Sequence, residues 1–512
     1  MKKESPLPQN EISCPCAAKN KYSEHSPIIS ILAAALALRV LNIGRMSIWL
    51  DEGIGISIAR RSLGEMFHFI ALDVHPPLSY IFLKAQLLIS QSPIFLRWSS
   101  VVLGIAALIA FYLAMSRRAV PCALRMSLLF LAISPVAVHY SQEIRMYALL
   151  FLLVNLTLWA AVRFVARSDA TGFFIFLTSA TAAIYTHYIA GIYVLGLLVF
   201  IGWERAAELK NWKMGMMDAA RTALCIFILY LPWVGIFCEH LISGSFSGKH
   251  AQPHWEHFSR MAFEYFTQTI GGVMPWVPFG LWGWLIFACI FTLVFIRGIM
   301  AMRSEKGLFR LMVSVLMTGF ILLVLHLAAR GRFYPRAFII YLPLVFYIIA
   351  RGIVALSSNL IQILLLIYFA LCLLVPTISY LSLDIRDVSL HACRILKDSA
   401  AQDEPIIHSS KFSYFPMKAY LPRHYQYLAS TPNLLLQERL LAGKDVIKRP
   451  DILLGRKRLW LVVEYWGAPG KWDESDMWTN RWLGPDWKCV PLIQFRIGPK
   501  VCVLFKCSTA IP

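Results

Sequence analysis

The sequence predicts a polytopic α-helical membrane protein with a small α/β domain at its C-terminal end. Three observations carry this. Of the 512 residues, 58% are hydrophobic, against about 45–50% in a soluble domain. Charged residues make up only 15%, where about 25% is usual. The apolar residues gather in long stretches up to residue 380, and polar residues become denser after it. This composition excludes a soluble enzyme, a disordered scaffold and a fibrous protein.

Residues 1–27 are polar, carry Lys2, Lys3, Lys19 and Lys21, and read as a cytoplasmic tail. The run 28–43 then begins the first span. No small-residue cleavage site follows it, so it is expected to be an uncleaved anchor rather than a signal peptide. Further apolar stretches are 98–115, 126–139, 146–165, 171–186, 188–203, 221–238, 276–297, 308–328, 337–351 and 359–380. The run 76–90 is shorter and is expected to lie in the interface or to re-enter.

Orientation follows from Lys and Arg in the connections. Arg117, Arg118 and Arg125 mark one cytoplasmic loop. Arg205, Lys210, Lys213 and Arg221 mark a second, and Arg297, Arg303, Lys306 and Arg310 a third. The connections 51–97, 139–145, 186–188, 239–275 and 330–336 are then outside, and eleven spans put the chain after Tyr380 outside too. Residues 381–512 read as a soluble extracytoplasmic domain, with strand-like runs at 405–408 and 459–464 and helical stretches at 388–400 and 433–442. Cys393, Cys489, Cys502 and Cys507 can pair there only if that region is outside the cytoplasm. No cysteine pattern has zinc spacing. The net charge of +20 belongs with cytoplasmic loops and lipid head groups, and no nucleic-acid module accompanies it.

The outer connections hold the unusual polar residues. Trp49-Leu50-Asp51-Glu52 sets two carboxylates at a membrane boundary, where they are costly unless solvated or employed. Asp73-Val74-His75-Pro76-Pro77-Leu78-Ser79-Tyr80 presents His75 at a Pro-initiated helix start. His139 to Tyr147 is a short connection dense in hydrogen-bonding groups, including Glu143 and Arg145. Arg330, Arg332 and Arg336 lie where the charge rule expects few arginines, and forked donors suit a phosphate. Taken singly, these also read as an interfacial cap, a surface turn, a locally paired loop and a misassigned orientation. Thr186-His187-Tyr188 reads as a structural turn. His250, His254, Trp255 and His257 lie on a loop that could cover a site, or bind metal. Together the motifs share one face and join carboxylates that can deprotonate a hydroxyl to arginines that can stabilise a phosphate leaving group.

Trp49 to Glu52, His75 to Tyr80 and Tyr140 to Tyr147 together resemble the signatures of bacterial family-39-type glycosyltransferases. These belong to the GT-C superfamily, with the protein O-mannosyltransferases and the lipid A aminoarabinose transferases. The resemblance covers roughly 28–380 and implies a GT-C fold of about 11–13 transmembrane helices. It implies an inverting transferase in the bacterial cytoplasmic (inner) membrane. The donor would be a sugar on a polyprenyl phosphate, used on the outer face, and the acceptor a lipid, polysaccharide or protein. The family's first-loop acid maps onto Asp51 as base, with Glu52 as its helper. His75, Tyr80, Glu143, Arg145, Tyr147, Arg330, Arg332 and Arg336 are the expected substrate-binding residues. The protein-mannosylating branch has Gly and then Lys after His-Pro-Pro-Leu. Here Ser79 and Tyr80 follow and Lys84 comes later, which argues against protein mannosylation. No Asp-x-Asp occurs in an outer loop, so no motif calls for a metal or other cofactor, and a divalent metal stays open because metal use varies across the superfamily. The alternative is a transporter or flippase for lipid-linked sugars, whose charges would sit near mid-membrane on broken helices. A membrane scaffold would leave the ordered motifs unexplained.

Overall fold

The computed structural model describes residues 26–242, 280–328, 335–382, 389–429, 436–447, 456–466, 482–483, 486–497 and 500–509. The first apolar stretch forms α1 (Ser26–Val40), and three short helices follow: α2 (Leu50–Ala59), α3 (Leu63–Ala71) and α4 (Leu78–Ile89). At about 1.5 Å per residue, the 12 residues of α4 fall well short of a hydrocarbon core about 30 Å thick. The run 76–90 therefore does not cross by itself.

Next come α5 (Pro93–Met115), α6 (Pro121–Ile133) and α7 (Pro135–Tyr140). The predicted stretch 126–139 is thus two helices, not one. Pro135 has no N–H, so the Leu131 carbonyl loses its intrahelical donor. Arg39 Nη2 donates to Leu131 O (3.3 Å), its Nη1 to Ala132 O (3.0 Å), and Thr377 Oγ1 to Ile133 O (2.7 Å). The break therefore leaves none of these three carbonyls bare.

The chain continues through α8 (Tyr147–Arg167), α9 (Ala170–Thr186), α10 (Ile189–Leu209), α11 (Trp212–Ile242), α12 (Gly280–Met302) and α13 (Lys306–Ala328). A 3-10 turn (Pro335–Tyr341) leads into α14 (Leu342–Val354), and α15 (Asn359–Ser382) follows. The predicted span 337–351 begins as that 3-10 turn because Pro343 cannot donate to a preceding turn of α-helix. Among the described residues, six helices, α5, α8, α10, α11, α12 and α15, are long and apolar enough to cross a membrane; α1, α4, α6, α9 and α14 are shorter apolar helices. The chain is a multi-pass membrane protein. Its core packs α8 on α5 and α9, α10 on α11 and α13, and α14 on α6 and α12.

The connections sort to two ends of this bundle. At one end Arg310 Nη1 meets Glu204 (3.1 Å), Arg351 meets Glu305 (3.0 Å) and Arg205 Nη1 donates to Ser168 Oγ (2.6 Å). At the other end, residues 47–52, 73–80, 142–147 and 187 come together. Helix α5 runs between the two, with Arg97 near its start and Ser116 just past its end.

The C-terminal part holds α16 (Ser389–Ser399), β1 (Ile406–His408), α17 (Lys411–Tyr420), β2 (Gln426–Ala429), α18 (Leu436–Ala442), β3 (Val446–Ile447), β4 (Arg458–Trp466), β5 (Trp487–Ile497) and β6 (Lys500–Thr509). The sheet order is β3-β2-β1-β4-β6-β5. The first four of these strands pair in parallel, and β6 runs antiparallel to β4 and β5. The predicted strands and helices of this region appear as β1, β4, α16 and α18. Cys489 and Cys507 face each other on β5 and β6 and are disulfide-bonded, whereas Cys393 and Cys502 are buried thiols.

Candidate active site

Helix α2 carries the paired carboxylates in its first turn, where the helix dipole favours negative charge. Glu52 closes the helix start by accepting the Trp49 N–H at Oε2 (3.3 Å). Its carboxylate is fully buried, 3.2 Å from the equally buried Arg97 Nη2, and its Oε1 accepts the Ile144 N–H at 2.8 Å. Arg97 also donates to the backbone oxygens of Ile43 (3.2 Å), Met46 and Ser47 (3.0 Å). Glu52 thus ties the approach to α2, the start of α5 and the 142–147 connection into one unit.

Asp51, the neighbouring residue, is a quarter exposed, with Oδ2 3.8 Å from Arg145 Nη2. Arg145 Nη1 donates to the Asp51 backbone oxygen (3.3 Å), and Nη2 lies 3.3 Å from His75 Nε2. Arg145 Nε is buried and makes no hydrogen bond among the described residues. Burial alone would push the Arg145 guanidinium down. The Asp51 carboxylate and the Tyr80, Tyr147 and Asp73 groups outweigh it and hold the pKa above its ordinary value.

Tyr80 donates its hydroxyl to the Asp73 carboxylate, and burial, with Asp73 beside it, pushes the phenol well up. Tyr80, Ser79, Gln86, Ser100, Gly55 and Arg145 line one cleft with several apolar side chains. On the other side of α4 a mainly apolar cavity of about 680 Å³ is lined by residues including Leu78, Ile81, Thr181, Tyr185, Trp233 and Ile236. Tyr188 links the walls behind it: Trp233 Nε1 donates to Tyr188 Oη (3.1 Å), which lies 3.0 Å from His240 Nδ1. His240 Nε2 is 2.8 Å from Ala71 O.

Asp51, His75, Tyr80 and Arg145 therefore share one pocket region, and Tyr147 reaches it through His187. The His187 ring lies 5.5 Å from that of His75 and 6.2 Å from that of Tyr147. Glu143 pairs instead with His139 (3.9 Å). Arg330 and Arg332 lie outside the described residues, as do His250, His254, Trp255 and His257. Arg336 is the second residue of the 3-10 turn, which packs against α7, α8 and α10. Among the described residues, no three His, Cys, Asp or Glu side chains converge as metal ligands.

Sequence reasoning passed over Asp73 and His187 as site residues, and Arg97 as the partner of Glu52. A histidine in a short turn at the motif-bearing end was the available sign for His187. A lone arginine at the start of a long apolar stretch was the sign for Arg97.

No protein-family profile matches the chain, and no curated protein matches it. Its fold is similar to the crystal structure of ArnT from Cupriavidus metallidurans bound to undecaprenyl phosphate. The TM-score is 0.59 at 13% identity, over 94% of this chain and 98% of that one. The apo structure of the same ArnT gives 0.55 at 12% identity, over 94% and 97%. The architecture is that of the GT-C membrane fold.

Proposed function

We propose that this protein is an inverting glycosyltransferase that moves a sugar from a polyprenyl-phosphate donor to an acceptor hydroxyl at the Asp51–Arg145 site. The observation that carries this is Arg145: a buried guanidinium, held against Asp51 and His75, with its Nε uncommitted. An anion is the natural occupant of such a group. ArnT, whose fold is similar, was crystallised with undecaprenyl phosphate, which supports a lipid phosphate as that anion.

In the proposed reaction the acceptor oxygen attacks the anomeric carbon and its proton passes to Asp51. The bond from that carbon to the phosphate oxygen breaks, and the lipid monophosphate departs against Arg145. His75, within reach of the same guanidinium, orients the phosphate or the sugar. Tyr80 lines the pocket, Tyr147 stands behind His187, Glu143 stays with His139 away from the reacting groups, and Glu52 keeps Asp51 in place. The Arg330–Arg336 segment is assigned to the donor phosphate on its charge alone. The site faces the outside of the bacterial cytoplasmic membrane, together with the C-terminal domain, and the acceptor is a lipid, polysaccharide or protein.

The test is incubation of the purified protein with candidate polyprenyl-phosphate sugars, reading release of free polyprenyl phosphate. Charge-assisted hydrogen bonds are worth about 1.5–3 kcal/mol each, so Arg145→Ala should weaken donor binding roughly ten- to hundredfold. No release from any donor, or unchanged donor affinity in Arg145→Ala, overturns the reading.

A further inference from the structure

We propose that the C-terminal domain is a working part of this site: α17 docks on Gly53 closely enough to set the position of the first turn of α2, which makes Gly53 a positioning residue. The proposal rests on the reading of Asp51 as the proton acceptor. A Cβ placed on Gly53 would lie 2.6 Å from the Phe415 carbonyl carbon, 2.8 Å from its oxygen and 2.8 Å from Pro416 N. Contacts between carbons become favourable only near 3.5–4.0 Å. These partners are backbone atoms, so no rotamer change relieves the overlap, and the two helices would have to part.

The docking is fixed at both ends of α2. Before the helix, the Ile48 N–H donates to Tyr420 Oη at 2.7 Å. Just past it, Arg60 Nη1 and Nη2 donate to the Lys418 and Ala419 oxygens (3.3 and 3.0 Å), and Arg61 Nη2 to Leu441 O (2.6 Å). Lys418 and Ala419 sit in the last turn of α17, whose carbonyls lack intrahelical donors. Arg60 thus supplies bonds that the end of α17 needs, and the domain gains by staying in place.

About 100° round the helix from this contact, Glu52 is held by Arg97 and the Ile144 N–H. The first turn is therefore gripped from two sides by groups far apart in sequence, and Asp51 projects between them toward Arg145. The second glycine of α2 differs. A Cβ on Gly55 would sit 3.8 Å from Leu83 Cδ2 and 4.0 Å from Arg145 Nη1, which is ordinary contact on the pocket side. Close approach is enforced at Gly53, where the domain meets the helix.

The experiment uses the full chain in membrane-derived preparations. Gly53→Ala should fold and bind the polyprenyl-phosphate sugar within about threefold of the parent, as its kcat for transfer falls. A misplacement of about 1 Å costs on the order of a hundredfold. Gly64→Ala, where a Cβ meets nothing within 4 Å, serves as the control and should transfer normally. Arg60→Gln removes the tether without adding bulk, and should lower kcat with donor affinity kept. It also decides the matter if Gly53→Ala does not fold. Wild-type kcat in the folded variants, or a loss of donor affinity matching the loss of rate, overturns the proposal. Amide exchange over residues 48–56 gives a readout that needs no turnover. If the parent releases no lipid phosphate from any donor, the transferase reading fails, while unchanged exchange in both variants would independently refute the docking.

Discussion

Asp51 and Glu52 are neighbours in sequence, yet their carboxylates meet opposite surroundings. Asp51 is partly solvated and looks across at Arg145; Glu52 is sealed against Arg97. Two different losses are expected. Asp51→Asn keeps the shape of the residue and removes the proton acceptor of the proposed reaction. General-base catalysis contributes about 10²–10⁴-fold, so transfer should fall by that order with the unfolding temperature unchanged. Glu52→Gln strands a buried guanidinium, and breaking a buried ion pair costs about 3–5 kcal/mol. Its clearest signature should be a lower unfolding temperature in detergent, with transfer falling through the displaced Ile144–Arg145 segment. A normally stable Glu52→Gln protein that is inactive, beside an active Asp51→Asn, would exchange the two roles. The sequence places the acid pair at the outer end of the first span, and shows neither that it opens a new helix nor which acid faces inward. That depends on Arg97, 45 residues further on, whose significance appears only once α5 is packed.

At the scale of the element, the C-terminal sheet carries a pH-sensitive joint. His408 on β1 is fully buried, with Nδ1 3.2 Å from Ser413 Oγ and Nε2 3.1 Å from Gln426 Oε1. Burial, with Lys418 adding to it, pushes the imidazole down to about 3. The unfolded chain takes up a proton near pH 6.5, and the folded domain resists doing so until about pH 3. Stability from this group is therefore complete above about pH 6.5 and declines as pH falls through that window, by about 1.4 kcal/mol per pH unit. Protection of the β1 and β2 amides, after division by the intrinsic exchange rate at each pH, should decline between pH 7 and pH 5, and His408→Gln should flatten the dependence. An unchanged dependence would assign it to other groups. Strand β1 itself was legible from Pro405-Ile406-Ile407-His408, because β-branched residues bounded by a proline suit a short buried strand. The break between α6 and α7 was not. Pro135 lies in an apolar run, and the chain can break there because Arg39, 92 residues before Leu131, reaches the freed Leu131 carbonyl. Without such a partner the bare carbonyl would cost several kcal/mol in a membrane.

At the scale of the whole molecule, two independent chemistries support the proposed placement of the C-terminal domain outside. The first is charge. Arg118, Arg205, Arg303, Lys306 and Arg310 lie on connections or in the adjoining helix turns at the bundle end away from Asp51, and cytoplasmic ends are the ones rich in Lys and Arg. The domain docks on α2, at the Asp51 end. The second is sulfur. Cys489 and Cys507 are bonded across adjacent strands, and disulfides persist only in oxidising compartments. Of the two, charge was legible by counting residues between apolar stretches. The pairing was not, since four C-terminal cysteines allow three connectivities and only the register of β5 on β6 selects one. A reporter active only in the cytoplasm, fused after Pro512, should be silent. In protein denatured without reductant, a maleimide should leave Cys489 and Cys507 unlabelled and should label both after reduction. A strong reporter signal with both thiols labelled would turn the molecule over, putting Asp51, His75 and Arg145 on the cytoplasmic side. A silent reporter with both thiols labelled would keep the orientation and remove the disulfide. The charge distribution would then be the sole basis for placing the site outside, where a lipid-linked sugar would have to be delivered across the membrane before Asp51 could act on its acceptor.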